Sequence, residues 1–412
     1  MSFSLNIFIY AFLYPYLLSL IAVNFFEEII LRHGYTQSMN FFIFASIFLL
    51  VMGLMNVYVW RRFLRLLSYD KASYLLVIPI VLMLGDIFFI VDIATNIIPD
   101  SPALYLVSSS FIGFTFMLFV VAVIYDLTIT ISKRVPVDHS RRQTLKLIFD
   151  VTMLVAAIAY LLRGFSQGIR FPEINRVLVK VKDFPLDKFN LVQLTDVHVG
   201  RTIKRDFIEK LVESTNALKP DMVVITGDLV DLPISKIEYD LYPLKDLNAP
   251  TYFILGNHEY FHGVGEVIEY IKELGIIPLL NEHVVIGEGK EQFNLVGLTD
   301  VIGARTGLYP PDPESAYFGI DQNIPCIVLA HQPRMINEMD NYRCDLMLSG
   351  HTHGGQIFPF GLLVMAAQPY LSGLNQHAPN RQIFVSRGTG YWGPPLRFLA
   401  PSEISQIFIK PA

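Results

Sequence analysis

The sequence predicts two architectures in one chain: an amino-terminal all-α transmembrane bundle of five helices over residues 1–164, and a carboxy-terminal α/β domain over residues 165–412. Three observations predict this. With 412 residues, a mean hydropathy of +0.44 and only 17% charged residues, the chain is too apolar for an ordinary soluble protein of its length. The apolar excess is concentrated in long runs before residue 165. After that point, short β-rich runs alternate with polar or helical stretches.

The spans are read at 4–26, 40–60, 73–98, 103–132 and 145–164. Each reaches the ~20 residues needed to cross the hydrocarbon core. The first does not read as a cleavable signal, because no basic segment precedes it and Phe25-Phe26-Glu27-Glu28 offers no small-residue cleavage site. Basic residues cluster in 61–72 (Arg61, Arg62, Arg65, Lys71) and 133–146 (Lys133, Arg134, Arg141, Arg142, Lys146). Loop 27–39 has only Arg32 and 99–102 has none. The positive-inside rule puts the first two segments and the amino terminus in the cytoplasm. Five crossings then leave residues 165–412 on the outer side of the cell membrane, although Arg163, Arg170 and Arg176 pull mildly the other way. Asn56, Asp86, Asp92, Asn96 and Asp150 are polar residues within the spans, and Asp92 and Asn96 share a helix face. An acid in a span is a functional hypothesis by default. Interhelical hydrogen bonding is the preferred reading here, because no basic residue within the spans offers itself as a partner.

The net charge of -5 argues against a nucleic-acid partner. Cys326 and Cys344 sit in or beside apolar, strand-like runs and read as buried small hydrophobes.

In the second half, strands are expected at Asn175–Val181, Leu191–Leu194, Met222–Thr226, Tyr252–Leu255, 293–298, Ile327–Ala330 and 345–349. Helices are expected at 204–218, 236–247 and 264–274. Five times an apolar strand ends and Asp, Asn or His follows within a few residues. Ligands gather at the carboxyl ends of strands in α/β sheets. Asp196, His198, Asp228, Asn257, His331, His351 and His353 can therefore converge on one spot. Oxygens mixed with imidazoles suit Mn, Fe or Zn. Seven donors are too many for one ion and suit two sharing a carboxylate, an arrangement that clamps an in-line displacement at phosphorus. The flanking glycines of Gly350-His351-Thr352-His353-Gly354-Gly355-Gln356 allow a tight turn with a ligand against the main chain.

These residues resemble the calcineurin-like metallophosphoesterase superfamily. The blocks D-x-H (196–198), G-D-x-x-D (227–231), G-N-H-E (256–259), H-x-P (331–333) and G-H-T-H (350–353) occur in the family order, and the resemblance covers about residues 175–410. The extended G-H-T-H-G-G-Q, with Ser386–Gly390 and Pro395-Leu396-Arg397, looks like the membrane-associated bacterial branch, which includes enzymes acting on lipid-linked phosphates. The resemblance implies a four-layer α/β/β/α sandwich and location at a bacterial inner membrane. It implies that Asp196, His198, Asp228 and His353 bind one divalent ion, and that Asp228, Asn257, His331 and His351 bind a second. His258 is implied to stabilise the transition state or protonate the leaving oxygen.

Among the remaining candidates, Arg387 is singled out as a phosphate grip because it stands beside glycine. Asp231 is read as a buttress for the loop carrying Asp228, while Glu259 either orients the site or lies on the surface. The apolar run Ile357–Leu371 is either core or a rim touching lipid. The expected function is hydrolysis of a phosphate or pyrophosphate bond in a phosphorylated lipid or lipid-linked substrate. The alternatives are a phosphodiesterase or nucleotidase with a soluble substrate and the helices as anchor, and a transporter or sensor with a regulatory metal domain.

Overall fold

The structure, a computed structural model, describes residues 37–68, 72–95, 97, 101–136 and 138–412. The chain divides into two compact units, one ending at Ser166 and one beginning at Gln167, with Gly393–Leu396 grouped with the first. The expected span at 4–26 lies outside the described residues.

The first unit holds helices α1 (Gln37–Arg62), α2 (Val77–Thr95), α3 (Pro102–Ser132) and α4 (His139–Gly168). All four are long and apolar enough to cross a membrane. Helix α4 starts six residues before the expected 145 and runs to Gly168, because Asp138 caps it by accepting from Ser140 and Arg141 N–H. Helix α3 starts on Ser101, whose hydroxyl accepts from Leu104 N–H, with Pro102 in the first turn, where its missing N–H costs nothing. Val59, Phe63, Leu82, Leu118, Tyr125 and Met153 form the inner cluster. Leu50, Leu84, Val155 and Leu162 face outward, the inverse of a soluble helix and the pattern that lipid demands. Asp150 accepts from Tyr125 Oη at 2.7 Å, Ser68 N–H at 2.7 Å and Lys146 Nζ at 2.6 Å, so this acid is fully answered within the unit.

The second unit is built on two six-stranded sheets. The first contains β1 (Glu173–Val181), β2 (Phe189–Leu194), β3 (Met222–Thr226), β4 (Thr251–Ile254) and β5 (Ile277–Pro278), with β12 (Glu403–Pro411) inserted between β1 and β2. The second runs in the order β10 (Gly373–Ala378), β11 (Arg381–Val385), β9 (Leu346–Ser349), β8 (Cys326–Leu329), β7 (Phe293–Gly297), β6 (Glu282–Ile286). Strands β2, β3 and β4 are mutually parallel, as are β7, β8 and β9. Inward residues of both sheets, among them Leu191, Val224, Phe293, Leu329, Leu348 and Ile407, share one apolar cluster. Helices α5 (Arg205–Ala217), α6 (Ile234–Leu241), α7 (Asn257–Phe261) and α8 (Val264–Glu273) follow strands of the first sheet. Ile208, Leu211, Ile237 and Ile271 from α5, α6 and α8 pack with Val192, Val223 and Phe253, the alternate residues of β2–β4. The helical reading of 236–247 is a composite: α6 ends at Leu241 and a 3₁₀ turn, Tyr242–Asp246, continues from it with Pro243 in its first turn.

Candidate metal centre

Each expected ligand sits just past a strand end. Strand β2 delivers Asp196 and His198, β3 delivers Asp228, β4 delivers Asn257, β8 delivers His331, and β9 delivers His351 and His353. Because β2–β4 run parallel in one sheet and β8–β9 in the other, their carboxyl ends can all open at one place. Polar bonds join the two sheets there: Gln193 Nε2 donates to Ser349 O at 3.0 Å, and His351 N–H donates to Asp196 Oδ1 at 2.9 Å. Within the first sheet, Asp196 N–H donates to Gly227 O at 3.0 Å and His198 N–H to Asp228 O at 3.1 Å, which ties two ligand loops in register.

Two sets of donors result. In one, His198 Nε2 and His353 Nε2 are 3.1 Å apart and His353 Nε2 is 3.3 Å from Asp196 Oδ1. In the other, His331 Nε2 lies 3.1 Å from Asp228 Oδ2, 3.2 Å from Asn257 Oδ1 and 3.3 Å from His351 Nδ1. Asp228 Oδ2 is also 4.0 Å from His198 Nε2, so it stands between the sets. Donors about 2.1 Å from a shared ion lie roughly 3 Å from one another, so both sets fit a metal. Tautomers fit too. His331 Nδ1 donates to Thr226 O at 2.9 Å and His198 Nδ1 to Asp231 Oδ1 at 2.7 Å, which aims each Nε2 lone pair inward.

The backbone is strained where the donors are. Asp196, His198, Asp228, His351 and His353 all take positive φ, between 50° and 69°. Non-glycine residues rarely do so, and such strain persists only when the surroundings impose it. At Gly350 any Cβ would collide with the Asp196 carboxylate and Thr195, so only glycine admits that approach.

Charge follows the geometry. Burial favours neutral Asp228, but His331 and His258 outweigh it and hold the carboxylate well below its usual range. Burial likewise disfavours charged His331, yet Asp228 pairing raises it well above normal. Burial and neighbouring His331 push His351 down to about 3, leaving a free lone pair. Burial and His198 depress His353 as well.

His258 follows the expected ligand Asn257, and its N–H donates to Asp228 Oδ1 at 2.9 Å. Its Nδ1 is 2.7 Å from Asp231 Oδ1, though poorly aligned for a hydrogen bond, and its Nε2 is 4.0 Å from Asp228 Oδ2. Burial opposes the imidazolium, but Asp228 and Asp231 prevail and raise His258 to about 9. Asp231 therefore serves two histidines, a role beyond buttressing one loop.

Four further residues surround the site, and of these the sequence leaves Glu259 open between orienting it and lying on the surface. Glu259 is fully buried and accepts from the N–H of Asp228 at 3.0 Å, Leu229 at 2.8 Å and Gly256 at 2.7 Å, so it orients the site. Glu259→Ala would strand these donors, at a cost of about 3 kcal/mol. The expected result is a lower unfolding midpoint of the purified full chain, together with weaker metal retention by atomic spectroscopy. Arg397 is also fully buried and packs behind His353, with Nη2 3.1 Å from its Nδ1 and Nη1 donating to Ala400 O at 2.8 Å. Trp392, more than half exposed, sits 6.1 Å ring to ring from His258, and exposed Phe261 sits 5.6 Å from it.

Arg387, expected to grip phosphate, is engaged otherwise. Its Nε donates to Glu403 Oε2 at 2.7 Å in an ion pair with a buried carboxylate. The partner sixteen residues on could not be read locally. Arg387→Ala is expected to cost about 2 kcal/mol by leaving Glu403 unpaired, after allowance for the arginine's partial exposure. Steady-state assays are expected to show an unchanged KM.

A set of Asp, Asn and His side chains, most of them buried, at converging strand ends defines a metal-dependent hydrolase. Residues 189–355 match the family model of the calcineurin-like phosphoesterases. The chain is 38% identical to a metallophosphoesterase of Helicobacter pylori, over 88% of this chain and 97% of that one. It is 34% identical to a metallophosphoesterase of Campylobacter jejuni, over 90% and 99%. A Danio rerio transmembrane protein with a metallophosphoesterase domain is 31% identical over 88% of each chain. The chain belongs to the calcineurin-like metallophosphoesterase family and is a metal-dependent phosphoester hydrolase bearing apolar amino-terminal helices.

Proposed function

We propose that this hydrolase uses two divalent ions and cleaves a phosphate or pyrophosphate bond in a lipid-linked substrate at the membrane. One ion would be held by Asp196, His198, Asp228 and His353, and the other by Asp228, Asn257, His331 and His351; Mn, Fe or Zn fits such donors. Bound metals lower the pKa of water and neutralise phosphoryl oxygens. The chain's own groups do the rest. Asp228 holds the two donor sets together. His258, backed by Asp231, keeps a proton to deliver to the leaving oxygen. The reading extends to the four-layer α/β/β/α sandwich, to a fifth span at 4–26, and to a catalytic domain on the outer face of a bacterial inner membrane.

The observation that carries the lipid reading is the apolar surface next to the catalytic groups. Trp392 and Phe261 flank His258, and Gln356, three residues past His353, holds Trp392 by bonds to both its N–H and C=O, at 3.1 and 2.9 Å. The run after Gln356 turns Phe358, Phe360, Leu362 and Met365 outward, which supports a lipid-contacting rim over core packing. The deciding assay uses full-length protein in vesicles with Mn²⁺. Polyprenyl pyrophosphate or phosphatidic acid is expected to be hydrolysed at least ~10-fold faster, by kcat/KM, than soluble bis(p-nitrophenyl) phosphate. The reverse preference would favour a soluble substrate and reduce the helices to an anchor.

A further inference from the structure

Three helices of the first unit each bring one polar side chain to the same buried point. Asn56 comes from α1, Asp86 from α2 and Thr115 from α3, and all three are buried. Thr115 Oγ1 donates to Asp86 Oδ2 at 2.9 Å, and Asn56 Nδ2 approaches the same oxygen at 3.4 Å. Asn56 Nδ2 also reaches Met52 O at 3.1 Å and Thr115 Oγ1 at 3.5 Å. The local donors are therefore spent. Two acceptors are left: Asp86 Oδ1 and Asn56 Oδ1 have no hydrogen-bond partner among the described residues.

Interhelical hydrogen bonding alone does not account for this. A purely structural trio would leave no orphaned oxygen, because hydrocarbon offers no water to satisfy one. Nor does any base among the described residues pair with Asp86. Arg62 and Tyr58 turn to Asp126, at 3.6 and 3.0 Å, while Lys146 and Tyr125 turn to Asp150. Asp92, likewise buried, lies six residues further along the same helix, about 9 Å by helical rise. One unit of positive charge placed against Asp86 would satisfy the carboxylate and can satisfy the Asn56 oxygen as well. The donor set is all oxygen with a single carboxylate, which matches a monovalent ion and is too poor for a divalent one.

We propose that Asn56, Asp86 and Thr115 form a binding site for one monovalent cation, a proton or a sodium ion, inside the helical bundle. The proposal stands independently of the hydrolase reading.

The test is infrared difference spectroscopy on the full chain in lipid nanodiscs. One arm compares low with high pH in choline buffer, and the other compares sodium with choline at fixed pH. A protonated-carboxyl band in the first arm that disappears in Asp86→Asn identifies a proton. A sodium-induced shift of a carboxylate band that disappears in Asp86→Asn identifies sodium. Thr115→Val keeps the acid and is expected to move whichever band is found. If Asp86→Asn does not fold, Thr115→Val decides alone. Identical wild-type and variant spectra in both arms would overturn the proposal.

Discussion

Asp228→Asn is expected to lower kcat/KM by roughly 10³-fold or more, with loss of bound metal, because one side chain serves both donor sets. Asp228 Oδ2 is 3.1 Å from His331 Nε2 and 4.0 Å from both His198 Nε2 and His258 Nε2. An amide is nearly the same size but removes the one negative charge between three imidazoles. It also presents N–H where a lone pair is required on one side. The fold is expected to survive, since the loop is held by Glu259 through backbone N–H groups rather than by the Asp228 carboxylate alone. Metal analysis of purified protein beside the kinetic assay checks both halves. Full metal content with normal turnover would remove the basis of the site.

His258→Gln is expected to give the complementary result. The kcat should fall by about 10²–10⁴-fold, the usual contribution of a positioned general acid, while metal content stays at the wild-type level. The separation rests on geometry: His258 reaches Asp228 through its backbone N–H, which glutamine keeps, and its ring faces Asp231 and Trp392. A substrate whose leaving group needs no proton, such as a nitrophenyl ester, should lose far less. Equal losses on poor and good leaving groups would assign His258 to transition-state charge stabilisation instead.

Much of the site was legible because its chemistry is local. Asp196, Asp228, Asn257, His331 and His351 each follow an apolar run within a few residues, and strand ends announce themselves by composition. Strands β2 to β4, β7, β8 and β9 were readable for the same reason. Strands β6 and β10 were not, since half-exposed alternation in Glu282–Ile286 and Gly373–Ala378 resembles loop sequence. Long-range pairings were illegible in principle. Glu259 stays open between surface and site until four backbone donors close around it. Arg387 reads as a phosphate grip, and its pairing with Glu403 shows only once the chain folds back. The meeting of Asn56, Asp86 and Thr115 depends on how three helix faces are rotated, which hydropathy does not encode.

Strand β12 lies between β1 and β2, parallel to the first and antiparallel to the second. It is the last strand of its sheet to leave the ribosome, yet it joins the first two. Among the described residues strand β1 has no other strand neighbour, so the earliest part of the sheet waits for the latest. Glu403, which anchors Arg387, opens that same strand. Completion of the first sheet is therefore expected late in biogenesis: a shortened nascent chain would carry every candidate metal donor and still lack the strand that joins β1 to β2.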